Sequence, residues 1–243
     1  MAKEFIENKG FTLVELLIAM AISGILVTSM YSVYTLQQRS YTVQDQVSEI
    51  QQKARAALDI MTREIRMATY DPGKNCAATI LEATPTRLVF DTCDPGDDLC
   101  PECRVTFEWD DATDTLQMTK DQGRDGASDP SLPLDNLLLT IARGVDAVEF
   151  KYFDEDGKPV LASINASTVR ISLLVRATYP DRKYTNTTLY EPASVRDPDD
   201  PDDPQPPLPD TWANLNGSGG NPANDNFHRR LLITTVQMRN ARL

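Results

Sequence analysis

The chain has 243 residues, of which 41% are hydrophobic and 25% charged, and this length suits one sizeable domain with appendages. Its formal net charge is -12 at pH 7. Because such a chain lacks the large basic surface that grips a phosphate backbone, the composition argues against general nucleic-acid binding as the main activity.

The first predicted element is an apolar helix over residues 11–36, which contain one charged residue, Glu15, and no proline. These 26 residues make a helix about 39 Å long, enough to cross a hydrocarbon core of about 30 Å with some tilt. A buried core helix usually keeps a polar stripe, which this segment lacks. The segment is also longer than the apolar part of a cleaved secretory signal. We therefore expect the mature protein to keep it, and we treat residues 1–10, which precede it, as a leader.

The same helix is predicted to continue as an amphipathic half over residues 37–70. Its apolar residues recur in steps of three and four, which places them on one helix face; they are Val47, Ile50, Ala54, Leu58, Met61, Ile65 and Ala68. The stretch Asp71-Pro72-Gly73 is a typical helix stop. We therefore predict one helix from about Phe11 to about Tyr70, whose second half packs against a folded domain.

After the helix, short runs with alternating apolar residues or with many β-branched residues predict the strands of a β-rich domain over residues 71–243. The predicted strands are 87–92, 104–109, 115–120, 137–141, 145–153, 169–178 and 231–238. Residues 110–114 and 154–157 predict turns between strands. The predicted fold class is therefore α+β, a long N-terminal helix laid on a mostly antiparallel β-sheet.

An Asp/Pro-rich stretch over residues 192–226 interrupts this domain. It contains the run DPDDPDDP at residues 197–204 and a glycine-rich segment at residues 217–220. This composition is typical of a solvated insertion or linker. Since a strand-like run follows at residues 230–239, we expect the insertion to leave the sheet and return to it.

The junction between the leader and the apolar helix carries the most specific motif. Residues 9–15 read KGFTLVE and run directly into the apolar segment. This combination closely resembles the cleavage and methylation motif of type IV prepilins. The resemblance implies that prepilin peptidase cuts the Gly10–Phe11 bond on the cytoplasmic side of the inner membrane, and that Phe11 is then N-methylated.

The same resemblance has consequences for the whole chain. It implies the type IV pilin fold, with the long helix packed on an antiparallel β-sheet domain. It also implies a single-pass inner-membrane protein whose C-terminal domain lies in the periplasm. The partners would be prepilin peptidase and other pilins, which contact the chain through the N-terminal helix in a pilus or pseudopilus.

Glu15 needs a chemical reason to lie inside the apolar segment. A charged side chain is unfavourable by about 2.5 to 3.5 kcal/mol at the centre of a bilayer and by less near its surface. After removal of the leader, the amino group of Phe11 lies four residues away, and the carboxylate is placed to pair with the terminal amine of a neighbouring subunit. In the family that the motif resembles, this residue is credited with recruiting and registering the subunit. The alternative is that Glu15 only caps the helix at the membrane surface.

Four cysteines follow the helix: Cys76, Cys93, Cys100 and Cys103. Only the last two have the spacing of metal ligands, and the single histidine is His228, so a zinc site would need all four thiolates. If the domain is periplasmic, as the resemblance implies, disulfides are expected instead. All three ways of pairing four cysteines stay open.

Acidic clusters at residues 94–98, 121–129 and 197–203 offer the oxygen atoms that calcium prefers. None of them matches a calcium-loop pattern, and runs of carboxylates usually mark solvated chain. Calcium therefore stays an option without assigned ligands, and we predict no other cofactor.

Two stretches suggest the kind of subunit. Residues 52–70, QKARAALDIMTREIRMATY, and the C-terminal run ITTVQMRNAR are similar to the PilW-type minor pilins and the related J-type minor pseudopilins. The sequence contains no recognisable catalytic motif, so we predict that the protein is not an enzyme. The leading hypothesis is a minor pilin that takes part in type IV pilus assembly or initiation. The alternatives are a minor pseudopilin of a type II secretion system and a membrane-anchored adhesin or enzyme that does not polymerise.

Overall fold

A computed structural model describes residues 10–71, 79–93, 102–122, 137–160, 166–193, 210–213, 215 and 221–238. The chain divides into two compact units, Met1–Asp45 and Gln46–Leu243. The first unit contains the apolar part of a long helix. The second contains the rest of that helix and all the described strands.

The long helix, α1, spans Leu13–Arg66 and has 54 residues. Its end tightens, because the N–H groups of Met67 and Ala68 bond to carbonyls three residues earlier, at 3.0 and 3.1 Å. Thr69 follows in a left-handed conformation with a φ of 59°. These short-range bonds and the left-handed residue stop the α-helical pattern, so α1 ends a few residues before the predicted Tyr70.

The described strands form two sheets. They are β1 (Ile80–Ala83), β2 (Arg87–Cys93), β3 (Glu102–Asp110), β4 (Thr115–Gln122), β5 (Leu137–Arg143), β6 (Val145–Phe153), β7 (Pro159–Val160), β8 (Thr168–Arg176) and β9 (Arg229–Gln237). The first sheet has the order β1-β2-β3-β4-β5 and the second has the order β7-β6-β8-β9. Every neighbouring pair is antiparallel. The α+β class is confirmed, with two sheets where one was expected.

All seven predicted strands are present, and their ends differ from the prediction by at most two residues. The sequence missed β1 and β7. The first has four residues and the second has two, which is too short to show the alternation from which strands are predicted.

The amphipathic half of α1 packs on the sheets through one face. Its buried residues join a core that includes Phe90 and Phe107 of the first sheet and Phe150 and Ile171 of the second. The predicted apolar stripe is confirmed at Ile50, Ala54, Leu58, Met61, Ile65 and Ala68. Val47, the first residue of that stripe, is only half-buried.

A smaller core lies on the other face of the second sheet and corrects one expectation. Leu174 of β8 points away from the main core and packs with Ala147, Tyr190, Trp212, Leu215 and Ala223. The last three lie in the stretch 192–226 that the sequence predicts to be solvated, yet Trp212 and Leu215 are fully buried. The described part of this stretch, which includes the short helix α2 (Asp210–Ala213), therefore belongs to the fold. The prediction was wrong there because it followed the average composition of the stretch. The many Asp, Pro and Gly residues outweigh Trp212 and Leu215, the two apolar residues that are buried in the smaller core.

Candidate functional site

The residues that begin α1 form a capping box. Oγ1 of Thr12 accepts a hydrogen bond from the N–H of Glu15 at 3.3 Å. Oε2 of Glu15 accepts bonds from the N–H and from the hydroxyl of Thr12, both at 2.9 Å. These contacts satisfy N–H groups that the start of a helix leaves unpaired.

Glu15 thus has the capping contact that the sequence left as the alternative to intersubunit pairing. Both bonds from Thr12 go to Oε2, and Oε1 has no hydrogen-bond partner among the described residues. Since a carboxylate has two oxygens and several acceptor positions, the cap does not occupy all of them. Thr12 was missed as a functional residue, although a Thr-x-x-Glu pattern before an apolar run is the sequence signal of a capping box.

The predicted cut lies in non-helical backbone just before α1. Phe11 is 91% exposed. A Cβ placed on Gly10 would meet no atom within 4 Å. The fold therefore places no steric demand for glycine at this position.

Within the apolar segment, polar side chains form hydrogen bonds with the backbone of the same helix. The hydroxyl groups of Thr28, Ser29, Ser32 and Thr35 donate to backbone carbonyls three or four residues earlier, at 2.8 to 3.0 Å. The most apolar part of this helix is not buried within the described structure. Among the described residues, α1 is the one helix long and apolar enough to cross a membrane. Internal bonding of the hydroxyls suits such a helix to lipid, where water is not available as a partner.

The structure describes the side chain of one cysteine, Cys103 on β3. It is half-buried at the margin of the main core, and burial raises the pKa of its thiol. The strand register places Cys103 opposite Thr92 rather than opposite Cys93, and Cys103 is bonded to no other described residue. Cys76 and Cys100 lie outside the described residues, so the disulfides stay a prediction.

A buried ion network joins the start of β6 to the start of β9. Arg229 donates to Asp146 at 2.5 Å and to the two oxygens of Asp225 at 2.5 and 2.6 Å. Arg176 lies 3.2 Å from Asp146 and bonds Asp114 at 2.5 Å. Burial raises the pKa of Asp146 to about 6, although the guanidinium groups of Arg229 and Arg176 oppose the shift. The sequence did not predict this network, because Asp114, Asp146, Arg176 and Arg229 are far apart in the chain; Asp225 alone lies near another member, four residues before Arg229.

The structure adds no metal site to the acidic clusters. Residues 94–98 and 197–203 lie outside the described ranges, as does most of the cluster at 121–129. Within those ranges, no group of three or more Asp, Glu, His or Cys side chains is placed to hold a metal ion.

Comparison with known proteins bears on the start of α1. The family model described as the prokaryotic N-terminal methylation motif matches residues 7–31. A solved structure of a type IV-like pilin from Thermus thermophilus resembles the chain with a TM-score of 0.49 and 15% identity, over 79% of this chain and 98% of that one. No curated protein matches the chain. The match confirms the predicted N-terminal methylation motif and, with the apolar helix, is consistent with membrane anchoring through a single N-terminal helix.

Proposed function

We propose that the chain is the precursor of a minor pilin, cut between Gly10 and Phe11 by prepilin peptidase and then built into a type IV pilus. One observation carries the proposal: the match to the methylation motif at residues 7–31 includes the start of an apolar helix that is long enough to cross a membrane. A motif of this kind supports a pilin or pseudopilin role in general. The role in pilus assembly or initiation is the finer part of the proposal.

In the proposed precursor, α1 crosses the inner membrane once and the sheet domain lies in the periplasm. After the cut, the amine of Phe11 is methylated and α1 packs beside the helices of other pilins. The exposed apolar side chains of the first unit support both states, because lipid tails and the apolar faces of neighbouring helices offer similar surroundings.

The glycine at position 10 is best explained by the enzyme that cuts the chain. The fold leaves room for a side chain at this position, so packing gives no reason for a glycine. A protease must bring the backbone of its substrate close to its own catalytic groups, and glycine permits that approach. We therefore attribute the glycine to the active site of the peptidase.

Glu15 serves two steps in this proposal. In the precursor, its Oε2 caps the helix that it belongs to. In the filament, Oε1 accepts a hydrogen bond from the charged Phe11 amine of a neighbouring subunit. An unpaired charge is strongly unfavourable in apolar surroundings. The two subunits therefore favour the register in which the Glu15 carboxylate of one meets the Phe11 amine of the other.

We propose a structural role, not a catalytic one, for the second unit. The stretch 52–70, which resembles the minor pilins, is explained by packing in this structure. Met61 lies in the core, Arg63 is exposed, and Glu64 pairs with Lys120 at 2.7 Å. The stretch is therefore the scaffold that holds the sheets.

We also propose that Cys76, Cys93, Cys100 and Cys103 form disulfides in the periplasm, with the pairing left open. Thiol alkylation of the unreduced chain should then label no cysteine. One zinc ion per purified chain would contradict the disulfides.

Co-expression of the full chain with prepilin peptidase tests the proposed function through the loss of the leader. We expect Gly10→Val to stay uncut, because the β-branched side chain keeps the backbone away from the catalytic groups. Gly24→Val is the matched control, since a Cβ at Gly24 also meets no atom within 4 Å, and it should be cut like the wild type. An uncut wild type, or equal cutting of both variants, would contradict the proposal.

A further inference from the structure

Three tyrosines lie on the exposed helix of the first unit. No aromatic residue occurs between Phe11 and Tyr31, and Tyr34 and Tyr41 follow. The three tyrosines are 67%, 59% and 71% exposed. At 100° per residue, they lie within an arc of about 80° on one side of α1. They contribute nothing to packing within the described fold, so their position needs another explanation.

Their distance from the start of the helix matches the thickness of a bilayer. Tyr31 and Tyr34 follow Leu13 by 18 and 21 residues. At a rise of 1.5 Å per residue these separations are about 27 and 32 Å, and the hydrocarbon core of a bilayer is about 30 Å thick. When Leu13 lies at one boundary of the hydrocarbon, Tyr31 and Tyr34 therefore lie at the other.

Tyrosine is suited to that boundary. Its ring is apolar and its hydroxyl group binds water and lipid headgroups, which is why tyrosine is enriched where membrane meets water. The surrounding sequence continues the match, because Leu36 is the last residue of the apolar segment and the polar residues Gln37, Gln38 and Arg39 follow it.

We propose that Tyr31 and Tyr34 anchor α1 among the phospholipid headgroups on the periplasmic side, and so set the depth at which the Gly10–Phe11 bond meets the peptidase on the opposite side. The inference rests on the proposed cleavage. Without the anchor, the apolar helix slides by several ångströms at a small free-energy cost. In the proposed cleavage the peptidase acts at the cytoplasmic side of the same membrane, so a bond displaced along the membrane normal enters its active site less often. The tyrosines are positioning residues, not groups that touch the reacting atoms.

Tyr41 provides a matched control on the same helix face. It lies seven residues beyond Tyr34, which is about 10 Å further along the helix. The headgroup region of one leaflet is about 5 to 7 Å thick, so Tyr41 lies outside it when Tyr34 lies within it. Replacing Tyr41 removes the same chemical group without removing the proposed anchor.

The test reconstitutes the full chain with purified prepilin peptidase in vesicles of dimyristoleoyl, dioleoyl or dierucoyl phosphatidylcholine, which form thin, intermediate and thick bilayers. The initial rate of cutting is compared for the wild type, the Tyr31→Leu/Tyr34→Leu pair, the Tyr31→Trp/Tyr34→Trp pair and Tyr41→Leu. In the bilayer where the wild type is cut fastest, we expect the Leu pair to be cut about threefold or more slowly. The Trp pair, which keeps the interfacial preference, and Tyr41→Leu should follow the wild-type rate at every thickness.

Two results would overturn the anchor while leaving the proposed function intact. One is a Leu pair that matches the wild type in all three vesicles. The other is equal slowing of the Leu and Trp pairs, which would point to a specific contact of the tyrosine ring or hydroxyl. A wild type that stays uncut in every vesicle would instead overturn the proposed function, and the anchor with it.

Discussion

Thr12 and Glu15 act together at the start of α1, where a few atoms carry most of the proposed chemistry. The hydroxyl of Thr12 and the carboxylate of Glu15 satisfy each other's backbone N–H groups. Such a capping box stabilises a helix start by about 1 kcal/mol. The cap needs both side chains, whereas the proposed intersubunit pairing needs only the carboxylate of Glu15. Substitutions at the two positions can therefore distinguish the cap from the pairing.

We expect Glu15→Ala to be cut at nearly the wild-type rate but to be about tenfold less abundant in sheared filaments, as for a loss of roughly 1.4 kcal/mol of pairing. Thr12→Ala is the control, because it weakens the cap and keeps the carboxylate. It should enter filaments nearly as well as the wild type. Immunoblots of purified filaments measure both, and an equal loss in the two variants would assign Glu15 to capping alone.

Asp146 makes the stability of the second unit depend on pH. Its folded-state pKa of about 6 lies above the ordinary value of 3.8, so the folded state holds the proton more tightly than the unfolded state does. Between about pH 4 and pH 6, the contribution of Asp146 to the free energy of unfolding therefore falls as the pH rises, by on the order of 3 kcal/mol at most.

Replacing Asp146 with Asn should remove that part of the pH dependence. Arg229 keeps its two bonds to Asp225, so the variant retains a partner for the buried guanidinium group. Urea unfolding of the full chain in detergent, followed by tryptophan fluorescence, gives the free energy at each pH. Asp111→Asn, in the exposed turn after β3, should keep the wild-type slope. Identical slopes for wild type and Asp146→Asn would show that Asp146 does not titrate in this window.

At the scale of elements, the sequence predicted what local pattern determines. The buried face of α1 follows from residues spaced three and four apart, and β6 follows from a run rich in Val, Phe and Tyr whose predicted ends, 145 and 153, match the observed strand. The capping box could also have been read from Thr12 and Glu15. The pairing of Arg229 with Asp146 and the burial of Trp212 could not, because each depends on a distant part of the chain that only the folded sheet brings near.

Trp212 tests whether the Asp/Pro-rich stretch belongs to the folded domain. Its side chain is fully buried in the smaller core beside Leu174. We expect Trp212→Ala to lower the free energy of unfolding by about 3 to 5 kcal/mol, the usual range for truncating a buried aromatic residue. Circular dichroism during urea unfolding measures this without relying on the removed fluorophore.

Leu189→Ala is the control for that experiment. Leu189 is an exposed leucine in the segment before the same stretch, and its truncation should change the free energy of unfolding by no more than about 0.5 kcal/mol. If Trp212→Ala proved equally mild, the described part of the stretch would not be a structural part of the domain.

At the scale of the whole molecule, each unit has its own kind of stabilisation. The first unit is a helix whose apolar side chains face its surroundings, and the second unit has a core made by α1 and two antiparallel sheets. The sequence predicts a change along the helix between residues 36 and 37, because apolar residues on all sides of a helix and apolar residues on one face are different patterns, whereas the first compact unit ends at Asp45. The match to the methylation motif, at residues 7–31, lies within the first unit.

The central claim is that the chain is cut after Gly10 and continues as a methylated subunit. The mass of the N-terminal peptide, measured on the chain isolated from cells that express prepilin peptidase, tests it most directly. We predict a chain that lacks residues 1–10 and begins with methylated Phe11. A chain that begins at Met1 or Ala2 would contradict the account.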